Sequence, residues 1–118
     1  MPFVETIIFK EDIKKIKKIS IIITENLNKI FKSSTRTITI YNSTIKKKNF
    51  YHNLILGNKE KRIFIKIFCL KRKKNLKKKL ALKIISSIQK ILKIKNPKNI
   101  AVYFFDKIQA DIHHGKIK

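Results

Sequence analysis

The sequence predicts an α+β fold in which two β-α-β units in tandem form a four-stranded sheet with two helices on one face. Three observations carry this expectation. Apolar residues recur at three- and four-residue steps in two separate stretches, each long enough for a helix. Each stretch lies between short runs rich in β-branched and aromatic residues. The order strand, helix, strand then occurs twice, with a polar segment between the copies. A right-handed crossover in each unit puts both helices on the same side of a shared sheet.

Residues 3–9 read as the first strand, with Phe3, Ile7 and Phe9 on one face and Val4, Thr6 and Ile8 on the other. A helix follows from about Asp12, a residue suited to an N-cap, to about Lys32. Its inner stripe is Ile16, Ile19, Ile23, Leu27 and Ile30, and Ser33-Ser34-Thr35 ends it. Arg36-Thr37-Ile38-Thr39-Ile40-Tyr41 alternates as a second strand, and this first unit spans residues 2–44. Residues 45–61 are polar overall, contain Gly57 and hold one short apolar patch, Leu54-Ile55-Leu56, a minor strand in a connecting hairpin. The second unit spans residues 62–106. It holds a strand at 63–70, a helix capped by Asn75 and running to about Lys93, and a strand at 100–105. Leu80, Ile84, Ile88, Ile91 and Leu92 form that helix's inner face, and Asn96-Pro97 breaks it. A tail, residues 107–118, holds Gly115 and the pair His113-His114. Whichever sheet face the helices cover, isoleucines or phenylalanines remain on the other. Such a face calls for a partner and points to an oligomer.

A chain of 118 residues with 43% apolar content suits a single domain. No apolar run approaches the ~20 residues of a membrane span. Lys10, Glu11, Asp12, Lys14 and Lys15 occupy the place of a signal peptide's apolar segment. The expectation is a cytoplasmic protein with no membrane partner. Cys69, the one cysteine, excludes an internal disulfide framework and suits a small apolar position in its strand. The net charge of +23 is nearly all lysine, with arginine only at 36, 62 and 72. Lysine, isoleucine and asparagine all have A/T-rich codons, so base bias alone yields this composition. Tryptophan is absent, and the basic runs are not interleaved with aromatics that stack bases. No specific nucleic-acid partner is expected, only a general attraction for polyanions. His113 and His114, with Asp106 and Asp111, lack a third ligand at a recognisable spacing, so no metal is expected. Two distant glycines make no phosphate loop, and no cofactor motif is present.

Pro2 stands at the head of the first strand, directly after Met1. A proline in second position permits removal of the initiator methionine, which would leave a rigid secondary amine. An α-amino group titrates near ~8, and neighbouring positive charge lowers that value. An amine poised near neutrality can act as a general base or as a nucleophile towards carbonyls. The alternative is that a second-position proline has no function.

A duplicated β-α-β chain headed by Pro2 resembles the tautomerase superfamily. That family includes 4-oxalocrotonate tautomerase, built from one unit, and macrophage migration inhibitory factor, built from two. The resemblance covers the whole chain. Residues 99–106 (NIAVYFFD) are similar to the last strand of the migration inhibitory factor group. Residues 40–44 (IYNST) and 68–72 (FCLKR) resemble a bacterial, largely uncharacterised branch. The resemblance implies a homotrimer without cofactor, with Pro2 as the catalytic base on a small 2-oxo acid or enol. It implies that Arg36 and Arg72 bind the substrate carboxylate. Independently of the resemblance, a C-terminal tail folded over a neighbouring subunit's site would bring His113 or His114 to the substrate. Ala101 and Tyr103 depart from the group's tyrosine and asparagine, which leaves the substrate open. The chemistry is consistent: an arginine grips a planar carboxylate with two parallel bonds, and nearby cations stabilise an enolate. Two functions therefore fit, a keto–enol isomerase or a non-catalytic binding or assembly module with polyanion affinity.

Overall fold

The computed structural model of the chain describes residues 2–52, 55–56, 60–107 and 115. In chain order the elements are β1 (Phe3–Phe9), α1 (Ile16–Phe31), β2 (Thr39–Ile45), β3 (Tyr51–His52), β4 (Ile55–Leu56), β5 (Ile63–Leu70), α2 (Lys74–Leu92) and β6 (Ile100–Lys107). Four strands form one sheet in the order β2-β1-β5-β6. β1 runs parallel to β2, and β5 parallel to β6, while β1 and β5 meet antiparallel at the centre. The two β-α-β units that the sequence predicts thus join along their first strands. β3 and β4 pair as a small separate hairpin.

Period-two alternation decides which side of the sheet is dry. Val4 and Ile8 of β1 are buried, as are Ile63, Ile65, Ile67 and Cys69 of β5. They share one core with Ile19, Ile23, Leu27 and Phe31 of α1 and Leu80, Ile84, Ile88 and Leu92 of α2. Both helices therefore cover the same face. Thr6 lies in the same buried row, and its hydroxyl donates to Asn42 Oδ1 (2.5 Å), whose amide in turn donates to Ser20 Oγ (3.1 Å). Ile84 is fully buried, so Ile84→Ala is expected to lower unfolding free energy by about 2–5 kcal/mol, read as a lower urea midpoint.

The intervening residues face away from the helices. Phe3 packs against Tyr41 (5.1 Å between ring centroids) and Phe68 (5.0 Å), and Phe68 stacks on Phe105 (4.7 Å). A row of rings thus crosses all four strands. Beside it Lys66 Nζ pairs with Glu5 Oε1 at 3.3 Å, opposite each other in the register.

Three local expectations are corrected. Asp12 does not cap α1: residues Lys10–Lys15 form a 3₁₀ turn and Lys15 flanks the helix. Asp12 is buried instead, with Lys61 Nζ at 3.3 Å supplying the opposite charge. Asn75 lies within the first turn of α2, where its Oδ1 accepts from the next residue's N–H (3.0 Å), and Lys73 holds the capping position. Arg36 does not open β2. Thr35–Thr37 form a 3₁₀ turn because the Thr37 N–H (3.0 Å) and hydroxyl (2.9 Å) both donate to the Ser34 carbonyl. Of the Leu54-Ile55-Leu56 strand, Leu54 lies outside the described residues, and 55–56 form β4.

Candidate functional site

One end of the sheet gathers the start of β1, the approach to β2, the ends of β5 and β6, and the first turn of α2. Parallel and antiparallel pairing bring these together without any help from the loops. Phe3 lies opposite both Thr39 and Phe68. Pro2 is buried just before it, and its carbonyl accepts from the Thr39 N–H (3.3 Å). One residue beyond Phe68, Cys69 faces the helices and lies opposite Asp106 of β6. The chain then turns from β5 into α2, and that turn carries Arg72.

Arg72 is held in a defined pose. Its Nη1 donates to the carbonyls of Leu70 (2.9 Å) and Lys71 (3.4 Å), and the guanidinium lies 5.2 Å from the centroid of the Phe31 ring. Phe31, in the last turn of α1, leans on Phe104 at 6.1 Å. Lys77, one turn into α2, bonds Asp106 Oδ2 at 2.6 Å, so this carboxylate is neutralised by a direct ion pair. Burial pushes the Cys69 thiol up, and Asp106 adds to that, while Arg72 and Lys77 pull the other way. A raised thiol is a poor nucleophile, and Cys69 serves as core.

The structure thus brings Pro2 and Arg72 to one end of the molecule. Arg36 is exposed in the turn before β2, three residues ahead of the Thr39 that bonds Pro2. Its backbone N–H donates to Ser34 Oγ (3.3 Å), while its guanidinium makes no ion pair with a described residue. His113 and His114 lie outside the described residues. Tyr103 is on the open face of the sheet, tilted against Phe64 at 4.9 Å. Phe31 and Lys77 were not legible as site residues from the sequence. Phe31 continues the apolar stripe of α1 four residues after Leu27, and Lys77 is one of three consecutive lysines. Asp106 stood out only as a possible metal ligand. Among the described residues, no three of His, Cys, Asp or Glu come together, and no helix is long and apolar enough to cross a membrane.

At the level of sequence no family model matches, and no curated protein matches either. Solved structures match over nearly the whole chain. A fused 4-OT, an asymmetric trimer, is 16% identical with a TM-score of 0.83, covering 96% of this chain and 92% of that one. Pt0534 inactivated by 2-oxo-3-pentynoate is 8% identical with a TM-score of 0.84, covering 95% and 90%. Malonate semialdehyde decarboxylase, solved as wild type, as a proline-to-alanine mutant and inactivated, is 12% identical with a TM-score of 0.78, covering 98% and 92%. The chain has the tautomerase fold that these solved structures share.

Proposed function

We propose that the chain is a tautomerase-like isomerase: with Met1 removed, the Pro2 amine acts as general base on a small 2-oxo acid or its enol, in a homotrimer. The observation that carries this reading is the position of Pro2, buried at the head of a central strand, at the end of the sheet that also bears Arg72. Among proteins of this fold, one is inactivated by the small carboxylate 2-oxo-3-pentynoate, and another was studied with a proline replaced by alanine. In the proposed reaction the enol hydroxyl proton passes to the neutral amine. The resulting enolate is held by the surrounding cations, and the prolinium returns its proton to carbon. One proton moves from oxygen to carbon, and no other atom is gained or lost.

Arg72 would grip the substrate carboxylate. Its Nη1 is engaged with backbone carbonyls, which leaves Nε and Nη2 for two parallel bonds. Arg36, exposed and near the same end, adds a second cation. The trimer is supported by the ring row on the open face. Tyr41 and Tyr103 are more than half exposed there, and other copies of the chain would cover them. The test of the carboxylate grip is Arg72→Met. It is expected to raise KM for a 2-oxo-acid enol by roughly tenfold or more, the worth of a charge-assisted pair, with a smaller change in kcat. An unchanged KM would remove Arg72 from the site.

A further inference from the structure

The opposite end of the sheet holds a cavity, on the open side. There the segment after β2 folds back so that Phe50 packs edge-on against Phe9, with ring centroids 5.1 Å apart. A cavity of about 180 Å³ lies beside them, walled by Phe9, Ile45, Phe50 and Phe64 and bordered by Arg62 and Lys98. From Cys69 back to Ile63 is a run of roughly 20 Å along β5, at ~3.3 Å per residue, so this cavity is well separated from Pro2.

Arg62 is poorly satisfied where it stands. Its Nε is buried and has no hydrogen-bond partner, and its Nη2 reaches Glu60 Oε2 only at 3.7 Å. That same oxygen already accepts from Asn99 Nδ2 at 2.9 Å. A buried guanidinium donor without an acceptor is costly, and native structures rarely leave one. A planar anion small enough to enter the apolar cavity would supply such an acceptor.

We infer that this cavity binds a small apolar monocarboxylate, its carboxylate bonded to Nε and Nη2 of Arg62 and its body lying among Phe9, Phe50 and Phe64. A cavity of about 150 Å³ accommodates benzene, so the space here suits one ring or a short branched chain. Lys98 at the border adds a second positive charge. This site is independent of the reaction proposed at Pro2.

The probe is benzoate, titrated into the full chain by calorimetry and followed by amide NMR, with benzyl alcohol as the neutral comparison. Saturable benzoate binding is expected, with shifts centred on Phe9, Phe50 and Phe64. Benzyl alcohol and the Arg62→Met variant are each expected to bind roughly tenfold more weakly, as when one partner of a charge-assisted pair is lost. Arg62→Lys, which keeps the charge but not the fork, should also weaken benzoate. The benzoate and benzyl alcohol comparison needs no variant, so it holds even if substitution at Arg62 unfolds the chain. Equal binding of the two ligands would overturn the inference. So would benzoate binding lost in Arg72→Met but kept in Arg62→Met, since the acid would then sit at the Pro2 end. No benzoate binding, together with a changed oligomeric mass in Arg62→Met, would also overturn it, because the acceptor would then come from another copy of the chain.

Discussion

Pro2→Ala is expected to slow ketonisation of a small 2-oxo-acid enol by roughly 100-fold or more while leaving the fold intact. General acid–base groups contribute about 10²–10⁴-fold to such proton transfers, and Pro2 is the one assigned that role. The fold draws on a different part of the residue. The Pro2 carbonyl accepts from Thr39, and alanine keeps that carbonyl. Alanine also leaves an amine at the chain end, but a primary one without the ring that fixes its direction. Ultraviolet decay of the enol gives the rate, and circular dichroism gives the fold. An unchanged rate in a folded variant would remove the proline mechanism.

Phe68→Asp is expected to convert the assembly to monomers. Phe68 is the centre of the ring row, in contact with Phe3 at 5.0 Å and Phe105 at 4.7 Å. In a single chain an aspartate there would meet water on the open face. In a trimer packed through that face it would be a buried charge, at a penalty of several kcal/mol unless a cation reaches it. The cation over the Phe68 ring is Lys107, exposed at the end of β6 with its Nζ 6.0 Å from the centroid, while Lys66 is engaged with Glu5 on the neighbouring strand. Light scattering after gel filtration should show one chain mass with helical content retained. A persistent trimer would mean that the assembly uses another surface.

How much of this was legible in the sequence depends on which force decides each feature. β1 and β5 begin and end where their β-branched and aromatic runs do, because burial of alternate side chains sets both length and register. The helix interiors were legible for the same reason, from stripes such as Ile19-Ile23-Leu27 and Leu80-Ile84-Ile88. Helix ends were not. Both helices finish at lysines in the left-handed region, Lys32 (φ 58°) and Lys93 (φ 56°), where glycine is the usual signal. The alternation through Arg36-Thr37-Ile38 imitates a strand, because the two bonds from Thr37 to the Ser34 carbonyl leave no periodic trace.

The site divides similarly. Pro2 and Arg72 entered through a resemblance in the order of elements. The Lys77–Asp106 pair depends on a helix start and a strand end that are 29 residues apart in the chain. Arg62 gave no sign in the sequence beyond being one of three arginines. Only the fold-back of Phe50 onto Phe9 makes its unbonded Nε conspicuous.

Native mass spectrometry of protein made in cells with ordinary methionine processing tests the central claim most directly. The expected result is a complex of three chains, each lacking the mass of Met1 and so carrying a free Pro2 amine. Chains that retain Met1 would have no secondary amine at all, and the proposed chemistry at Pro2 would be contradicted outright.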